Sequence, residues 1–216
     1  VRVEVREVDN PPVIAVVPPQ TIDEGSTLIL TNRATDPDVP GVPLRFVLGV
    51  GAPQGMTLDP QTGVLRWTPP EEFGPGLAIV TIRAEQTAGA PLSDSTSFGI
   101  TVREVNQPPT LDVPARRVAE EGSVLRFQAA ATDSDRPAQQ LFYLLPSGGP
   151  AGAQIDPATG EFVWPVPPDF GATTNRVTVR VRDGAQGLAA DAEVELVTVP
   201  RFRVVINEVM HRPSTV

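Results

Sequence analysis

The sequence predicts an all-β protein made of two β-sandwiches in tandem, and three observations support this prediction. The chain of 216 residues contains 18 glycines and 25 prolines, which favours many short elements separated by turns. Short stretches between these turns alternate apolar and polar residues, as strands with one buried face do. A long series of residues also recurs at one constant spacing, which indicates two copies of one structural unit.

The spacing of the repeat is 97 residues. Val5-Arg6-Glu7-Val8 recurs as Val102-Arg103-Glu104-Val105, an offset of 102 − 5 = 97. Four further pairs share this offset: Glu24-Gly25-Ser26 with Glu121-Gly122-Ser123, Asp36-Pro37-Asp38 with Asp133-Ser134-Asp135, Asp59-Pro60 with Asp156-Pro157, and Trp67 with Trp164. We therefore expect a first repeat over 9–105 and a second repeat over 106–200. Residues 1–8 begin in mid-pattern and are interpreted as the last strand of a preceding repeat, and 201–216 as the start of a further domain.

A unit of about 97 residues with short alternating strands has the size of an immunoglobulin-like sandwich with seven strands. In the first repeat we place the strands near 12–18 (A), 26–33 (B), 43–49 (C), 56–58 (D), 64–67 (E), 77–85 (F) and 94–105 (G). Trp67 and Trp164 are expected to anchor the two cores, because a large aromatic residue at a strand end usually packs inside. An exposed ligand-binding platform is the alternative for both tryptophans.

Composition excludes several functional classes. The net charge is −9, so nucleic acid would be repelled and cations are favoured as partners. The chain has no cysteine, no lysine and a single histidine, His211, which removes most pairings of a nucleophile with a base. Acidic pairs could in principle hydrolyse glycosides, but here they fall on predicted loops. No apolar run approaches the length of a membrane helix. We therefore predict neither an enzyme nor a membrane-inserted segment.

The acidic residues fall at particular ends of the predicted sandwiches. Loops of a sandwich alternate between its two ends, which places one set at the lower end of the first repeat and another at the upper end of the second. Such carboxylates would repel each other without a cation, and oxygen ligands without imidazole or thiolate suit calcium. Taken alone, the Asp-x-Asp tripeptide is also explained as a turn cap. The predicted ligands between the repeats are Glu24, Glu72, Glu104, Asn106, Asp133, Asp135 and Asp183, and Glu71 is the alternative to Glu72. A weaker upper site of the first repeat comprises Asp9, Asp36, Asp38 and Glu85.

Four motifs together resemble cadherin-type repeats, in particular the bacterial and dystroglycan-type cadherin-like modules of the immunoglobulin-like superfamily. These are Ala-Thr-Asp-x-Asp, the upstream Glu-Gly-Ser, the Asp-Pro-x-Thr-Gly turn and the Asn-x-Pro-Pro linker. The resemblance implies tandem rods whose junctions are stiffened by calcium. It matches Glu24 to the family's early glutamate, Asp133 and Asp135 to its Asp-x-Asp pair, and Asp183 to the aspartate that closes strand F. Gln107 and Pro108 depart from the family's linker, so one or two ions per junction are expected.

Two functions from different classes fit this sequence. The first is a calcium-binding adhesion or spacer rod of a secreted or surface protein, outside the cell, with neighbouring repeats, cell-surface proteins or glycans as partners. The second is a carbohydrate-binding accessory module of a secreted polysaccharide-active enzyme, which would display aromatic side chains on a sheet face. Aromatic exposure distinguishes them. Separately, Ile206-Asn207-Glu208-Val209-Met210 resembles the opening strand of lamin-tail-like domains.

Overall fold

The computed structural model describes residues 2–4, 8–88, 92–184 and 187–201. The predicted all-β class is confirmed, since the helical part of these residues is a single 3-10 turn at Glu71–Phe73. The chain divides into two compact units, Val1–Asn106 with Ser134–Ala138, and Gln107–Asp133 with Gln139–Val216. The segment that resembles a lamin-tail strand, and His211, lie outside the described residues. No described helix is long and apolar enough to cross a membrane.

The first repeat is built from three small sheets around one core. The four-stranded sheet has the order β2-β9-β8-β5, a three-stranded sheet the order β3-β7-β6, and β1 pairs with β4. The strands are β1 (Val13–Ile14), β2 (Gln20–Asp23), β3 (Leu28–Thr31), β4 (Ala34–Thr35), β5 (Leu44–Leu48), β6 (Thr57–Leu58), β7 (Val64–Trp67), β8 (Gly76–Gln86) and β9 (Ser93–Arg103).

The second repeat has the same arrangement. Its sheets have the orders β11-β18-β17-β14, β12-β16-β15 and β10-β13. The strands are β10 (Thr110–Asp112), β11 (Arg116–Glu120), β12 (Val124–Gln128), β13 (Ala130–Thr132), β14 (Leu141–Leu144), β15 (Gln154–Ile155), β16 (Glu161–Pro165), β17 (Thr173–Asp183) and β18 (Ala189–Val199).

The first strand of the first repeat differs from its prediction. Strand A was expected to be continuous over 12–18, but it is two short strands in different sheets: β1 pairs antiparallel with β4, and β2 pairs parallel with β9. Pro18 and Pro19 separate them, and neither can donate a hydrogen bond to a sheet. The same split separates β10 from β11, with Pro114 between them. The parallel pairing of β2 with β9 positions the candidate site described below.

Each unit has its own apolar core with a tryptophan at its centre. Trp67 is 1% exposed and Trp164 is 0% exposed, which confirms their prediction as core anchors. The Trp67 ring meets Phe73 edge to face at 5.0 Å, and Trp164 meets Phe170 in the same way at 5.4 Å. Each indole N–H donates to a backbone carbonyl at 3.2 Å, so the polar end of the ring is satisfied as well.

The Asp-Pro-x-Thr-Gly motif forms the same tight turn in both repeats. Asp59 Oδ1 accepts hydrogen bonds from the backbone N–H groups of Gln61 and Thr62, at 2.9 and 2.8 Å. Gly63 closes the turn with φ of +69°, and a Cβ there would lie 2.6 Å from the Asn32 carbonyl oxygen. In the second repeat Asp156 accepts the two equivalent bonds. The motif is therefore structural, and its glycine is required both by φ and by space.

Candidate metal-binding site

A group of three glutamates lies at the lower end of the first repeat. Carboxylate oxygens of Glu24, Glu71 and Glu104 all lie within 4.8 Å of one another. Glu24 follows β2 and Glu104 follows β9, and these parallel strands end with Asp23 opposite Arg103. The next residue of each strand therefore emerges beside the other, although the two are 80 residues apart. Glu71 joins them from the 3-10 turn at Glu71–Phe73. We call this set the glutamate group.

The glutamate group is short of hydrogen-bond donors. Glu24 Oε1 accepts the Val105 N–H at 3.0 Å, but Glu24 Oε2 and both carboxylate oxygens of Glu104 are buried without a hydrogen-bond donor among the described residues. Burial raises the pKa of Glu104 above its ordinary value, and the neighbouring charges of Glu24 and Glu71 raise it further. Either a proton or a cation would relieve this repulsion.

Two structural details define the limits of the glutamate group. A Cβ at Gly74 would collide with Glu24 Oε2, so the absence of a side chain there leaves room for the carboxylate. Glu72, which was the predicted ligand, is exposed and outside the group, and its neighbour Glu71 lies inside. The sequence pattern could not separate the two, because the direction of each side chain depends on the phase of the 3-10 turn.

A group of three aspartates, the aspartate group, involves the loop between β13 and β14. Carboxylate oxygens of Asp133, Asp135 and Asp183 lie within 4.8 Å of one another. Asp183 ends β17 opposite Leu141, the first residue of β14, so the strand end meets the loop that precedes β14. Asp183 is 0% and Asp135 3% exposed. A Cβ at Gly187 would collide with the Asp183 carboxylate, so only glycine at this position leaves room for that carboxylate.

In the part of the chain that the structure describes, the glutamate and aspartate groups are the two sets of at least three acidic or other metal-ligating side chains whose ligand atoms all lie within 4.8 Å of one another. Asn106, another predicted ligand, is half-buried in the linker, and its role stays a prediction. The atoms that could coordinate a metal in both groups are carboxylate oxygens only. Such a set fits a hard cation, and calcium accepts it in flexible geometry with six to eight oxygens.

The upper end of the first repeat differs from its prediction. Glu85 lies against Arg45 and Arg83, with Arg45 Nε donating to Glu85 Oε2 at 2.8 Å, so it does not join the acidic residues there. The next residue, Gln86, takes that place: it is 4% exposed and its amide donates to Asp36 Oδ2 at 2.9 Å. Residues adjacent in a strand point to opposite faces, which is why Gln86 rather than Glu85 faces these aspartates.

The aspartates of this upper end are held by hydrogen bonds. The pKa of Asp38 is lowered, chiefly because the Asn10 side chain and then the Asn10 backbone N–H donate to its carboxylate. The pKa of Asp9 is raised, first by its hydrogen bond with Asp38 and next by burial. Asp9 and Asp38 therefore behave as a pair in which Asp9 retains the proton more readily.

The lower end of the second repeat lacks the glutamate group. Glu121, the counterpart of Glu24, accepts backbone N–H groups from Gly171 at 3.2 Å and Arg201 at 3.0 Å. Glu71 corresponds to Pro168 (71 + 97 = 168). Strand β18 is shifted by 96 residues from β9, since Asp23 faces Arg103 and Glu120 faces Val199, so Glu104 corresponds to Pro200. Two of the three carboxylates are absent there.

Comparison with known proteins assigns the fold class. Residues 11–103 match the family model described as "Putative Ig domain". The chain is 31% identical over 163 residues to human protocadherin-16, a match that spans 69% of this chain and 5% of that protein. Among solved structures it resembles mouse cadherin-23 EC22-24 (TM-score 0.57, 19% identity, 89% of this chain and 67% of that one). It also resembles protocadherin gamma B2 extracellular cadherin domains 3-6 (TM-score 0.51, 20% identity, 89% of this chain and 53% of that one).

These similarities define an immunoglobulin-like β-sandwich of the kind found in extracellular cadherin domains. The fold of the chain is that of extracellular cadherin domains, in agreement with the resemblance carried by the sequence motifs. It spans only a small part of the curated relative and about half of the protocadherin gamma B2 structure.

Proposed function

We propose that this chain is a calcium-binding segment of an extracellular adhesion or spacer rod. The observation that carries the proposal is the glutamate group, in which two buried carboxylate oxygens of Glu104 have no hydrogen-bond donor within the described part of the chain and lie beside two further carboxylates. Burying like charges together is costly unless a counter-charge compensates them. A cation with a high coordination number would satisfy several of these oxygens at once.

Calcium is the cation that these carboxylate ligands favour. Both acidic groups offer only oxygens, and the chain has no cysteine and no second histidine to favour zinc or copper. Magnesium requires near-ideal octahedral geometry and retains its waters, whereas calcium tolerates irregular carboxylate sets. Extracellular modules bind calcium with a dissociation constant of about 10⁻⁴ to 10⁻³ M, an affinity that suffices where calcium is millimolar.

The two acidic groups flank the linker in the sequence. The glutamate group ends at Glu104, directly before the linker, and the aspartate group begins at Asp133 on the second repeat. We propose that calcium bound by Glu24, Glu71, Glu104, Asp133, Asp135 and Asp183, with Asn106 as an additional ligand, stiffens the linker. The cadherin-like fold and its similarity to the extracellular cadherin domains of protocadherin gamma B2 support an extracellular location.

The alternative, a carbohydrate-binding module, has less support. A sheet-face glycan platform requires exposed aromatic rings, and every aromatic side chain among the described residues is buried or half-buried. We also infer that the chain is not an enzyme, because its sequence has no cysteine, no lysine and a single histidine, which removes most pairings of a nucleophile with a base. Binding to immobilised polysaccharides with no dependence on calcium would favour the alternative.

Calcium titration of the chain by isothermal calorimetry tests the proposal, with Glu71→Gln and Glu72→Gln as a matched pair. The two variants make the same chemical change at adjacent positions, one inside the glutamate group and one exposed. We expect Glu71→Gln to weaken calcium binding at least about tenfold and Glu72→Gln to leave it unchanged. Absence of binding to the unmodified chain at about 10 mM calcium, tenfold above the weakest affinity of such modules, would overturn the proposal.

A further inference from the structure

We propose that the amide of Gln86 takes the place of a cation at the upper end of the first repeat, so that this end closes without calcium. The residues concerned are Asp9, Asn10, Asp36 and Asp38, which we call the upper set. This inference goes beyond the calcium sites proposed above, because it concerns the opposite end of the first repeat and assigns it no metal.

The Gln86 amide nitrogen is surrounded by oxygens. Nε2 lies 2.9 Å from Asp36 Oδ2, 2.9 Å from the Asn10 carbonyl oxygen and 3.2 Å from Asp9 Oδ1. The side chain is 4% exposed. In the opposite amide orientation the acceptor oxygen Oε1 would face three other acceptor oxygens and could form no hydrogen bond with them. The amide is therefore oriented with Nε2 toward the upper set. An NH₂ group with its positive hydrogens therefore occupies the centre of an all-oxygen environment.

The carboxylate oxygens of Asp36 and Asp38 all have donors. Asp36 Oδ1 accepts the Asp38 N–H at 3.0 Å. The two oxygens of Asp38 accept the Asn10 N–H at 3.2 and 3.1 Å, and Oδ1 also accepts the Asn10 amide at 2.9 Å. All four carboxylate oxygens of Asp36 and Asp38 are therefore hydrogen-bonded to N–H groups. In the glutamate group, by contrast, both oxygens of Glu104 have no donor among the described residues.

The repeat places an amide where the other copy has a carboxylate. Gln86 ends β8 as Asp183 ends β17, and the offset of 97 relates them (183 − 97 = 86). The aspartate at this position contributes to the aspartate group of the second repeat, whereas the glutamine removes one negative charge and adds two N–H donors. A cation entering the upper set would have to displace the Gln86 amide and break the Asn10 hydrogen bonds, and it would gain one fewer carboxylate.

The substitution Gln86→Glu tests this inference, because it keeps the length of the side chain and exchanges the donor for a carboxylate. We would titrate the ¹⁵N-labelled 216-residue chain with calcium and follow the amide signals of Asn10 and Asp38 together with thermal unfolding. In the unmodified chain these signals should stay unchanged up to about 10 mM calcium. In Gln86→Glu the melting temperature should fall in EDTA, calcium should restore it, and the Asn10 and Asp38 signals should titrate.

Three controls separate the possible outcomes. Thr87→Glu adds the same charge at the adjacent exposed position and should create no calcium response. Gln86→Leu removes the donor without adding charge and should lower stability with no rescue by calcium. The amide signals of Asp135 and Asp183 report the sites of the proposed function separately. If they do not change with calcium, the proposed function fails, but the Gln86→Glu result is unaffected. Calcium-dependent shifts of Asn10 and Asp38 in the unmodified chain, or full stability of Gln86→Glu in EDTA, would overturn the inference.

Discussion

At the scale of single residues, Glu104 and Asp38 show that burial alone does not define a cation site. Asp38 is 8% exposed and its pKa is lowered, because Asn10 supplies hydrogen-bond donors to its carboxylate. Glu104 has buried carboxylate oxygens to which no described residue donates a hydrogen bond, and its pKa is raised. The same kind of group is therefore stabilised in its ionised form at one end of the repeat and destabilised at the other. This difference is why, within the first repeat, we assign calcium only to the lower end.

Glu104→Gln should separate the cost of the buried charge from the benefit of the cation. Without calcium, the variant should melt a few degrees higher than the unmodified chain at neutral pH, since it removes a charge that burial and Glu24 disfavour. With calcium, the order should reverse, because a ligand is lost. Differential scanning calorimetry in EDTA and in calcium measures both effects. A variant that is less stable in both buffers would show that Glu104 acts only as a structural residue.

At the scale of elements, the Asp-Pro-x-Thr-Gly turn couples stability to pH. The Thr62 and Gln61 N–H groups lower the pKa of Asp59, and the Thr159 and Ala158 N–H groups lower that of Asp156 in the same way. A carboxylate whose pKa is lower in the folded state stabilises the fold above its unfolded pKa, and this contribution is lost as the pH falls through the folded pKa. Both turns should therefore weaken in acid.

The double variant Asp59→Asn and Asp156→Asn measures this contribution. The amide oxygen can still accept the two backbone hydrogen bonds, so only the part that depends on charge is removed. We expect a lower melting temperature than that of the unmodified chain at pH 7. This difference should shrink as the pH falls below the ordinary aspartate value of 3.8 and both chains carry neutral groups. A difference that is independent of pH would contradict the assignment.

At the scale of the whole molecule, calcium should change both stability and the freedom of the linker. At a calcium concentration ten times the dissociation constant, binding to the folded state alone adds about 1.4 kcal/mol to the free energy of unfolding. We expect calcium to raise the melting temperature and to narrow the range of angles between the repeats, measured by calorimetry and small-angle X-ray scattering.

The double variant Asp133→Asn and Asp135→Asn should abolish most of both calcium effects while each sandwich remains folded. Asp36→Asn with Asp38→Asn makes the same change at the matching positions of the first repeat and should leave the calcium response intact, because the upper set is assigned no metal. Equal loss of the response in both double variants would show that these substitutions act through general charge rather than through a defined site.

The sequence by itself determined the class of fold, the repeat of 97 residues, both tryptophan anchors and the aspartate turns. These features are local or periodic: strand alternation, turn chemistry and the constant offset can each be read without knowing which strands pair. The offset also indicates that the counterpart of Asp183 in the first repeat is Gln86 rather than Glu85 (183 − 97 = 86).

Only the tertiary structure decided which acidic residues meet. The parallel pairing of β2 with β9 brings Glu24 beside Glu104 across 80 residues of chain, and it depends on the split of strand A at Pro18 and Pro19. The choice of Glu71 over Glu72 depends on the phase of one 3-10 turn. Two neighbouring positions of a strand direct their side chains to opposite faces, and two neighbouring positions of a turn direct them at different angles. Acidic residues at neighbouring positions can therefore differ in whether they reach the site. That geometric sensitivity is why a pattern of acidic residues predicted the region of the site, and only the packed fold determined its members.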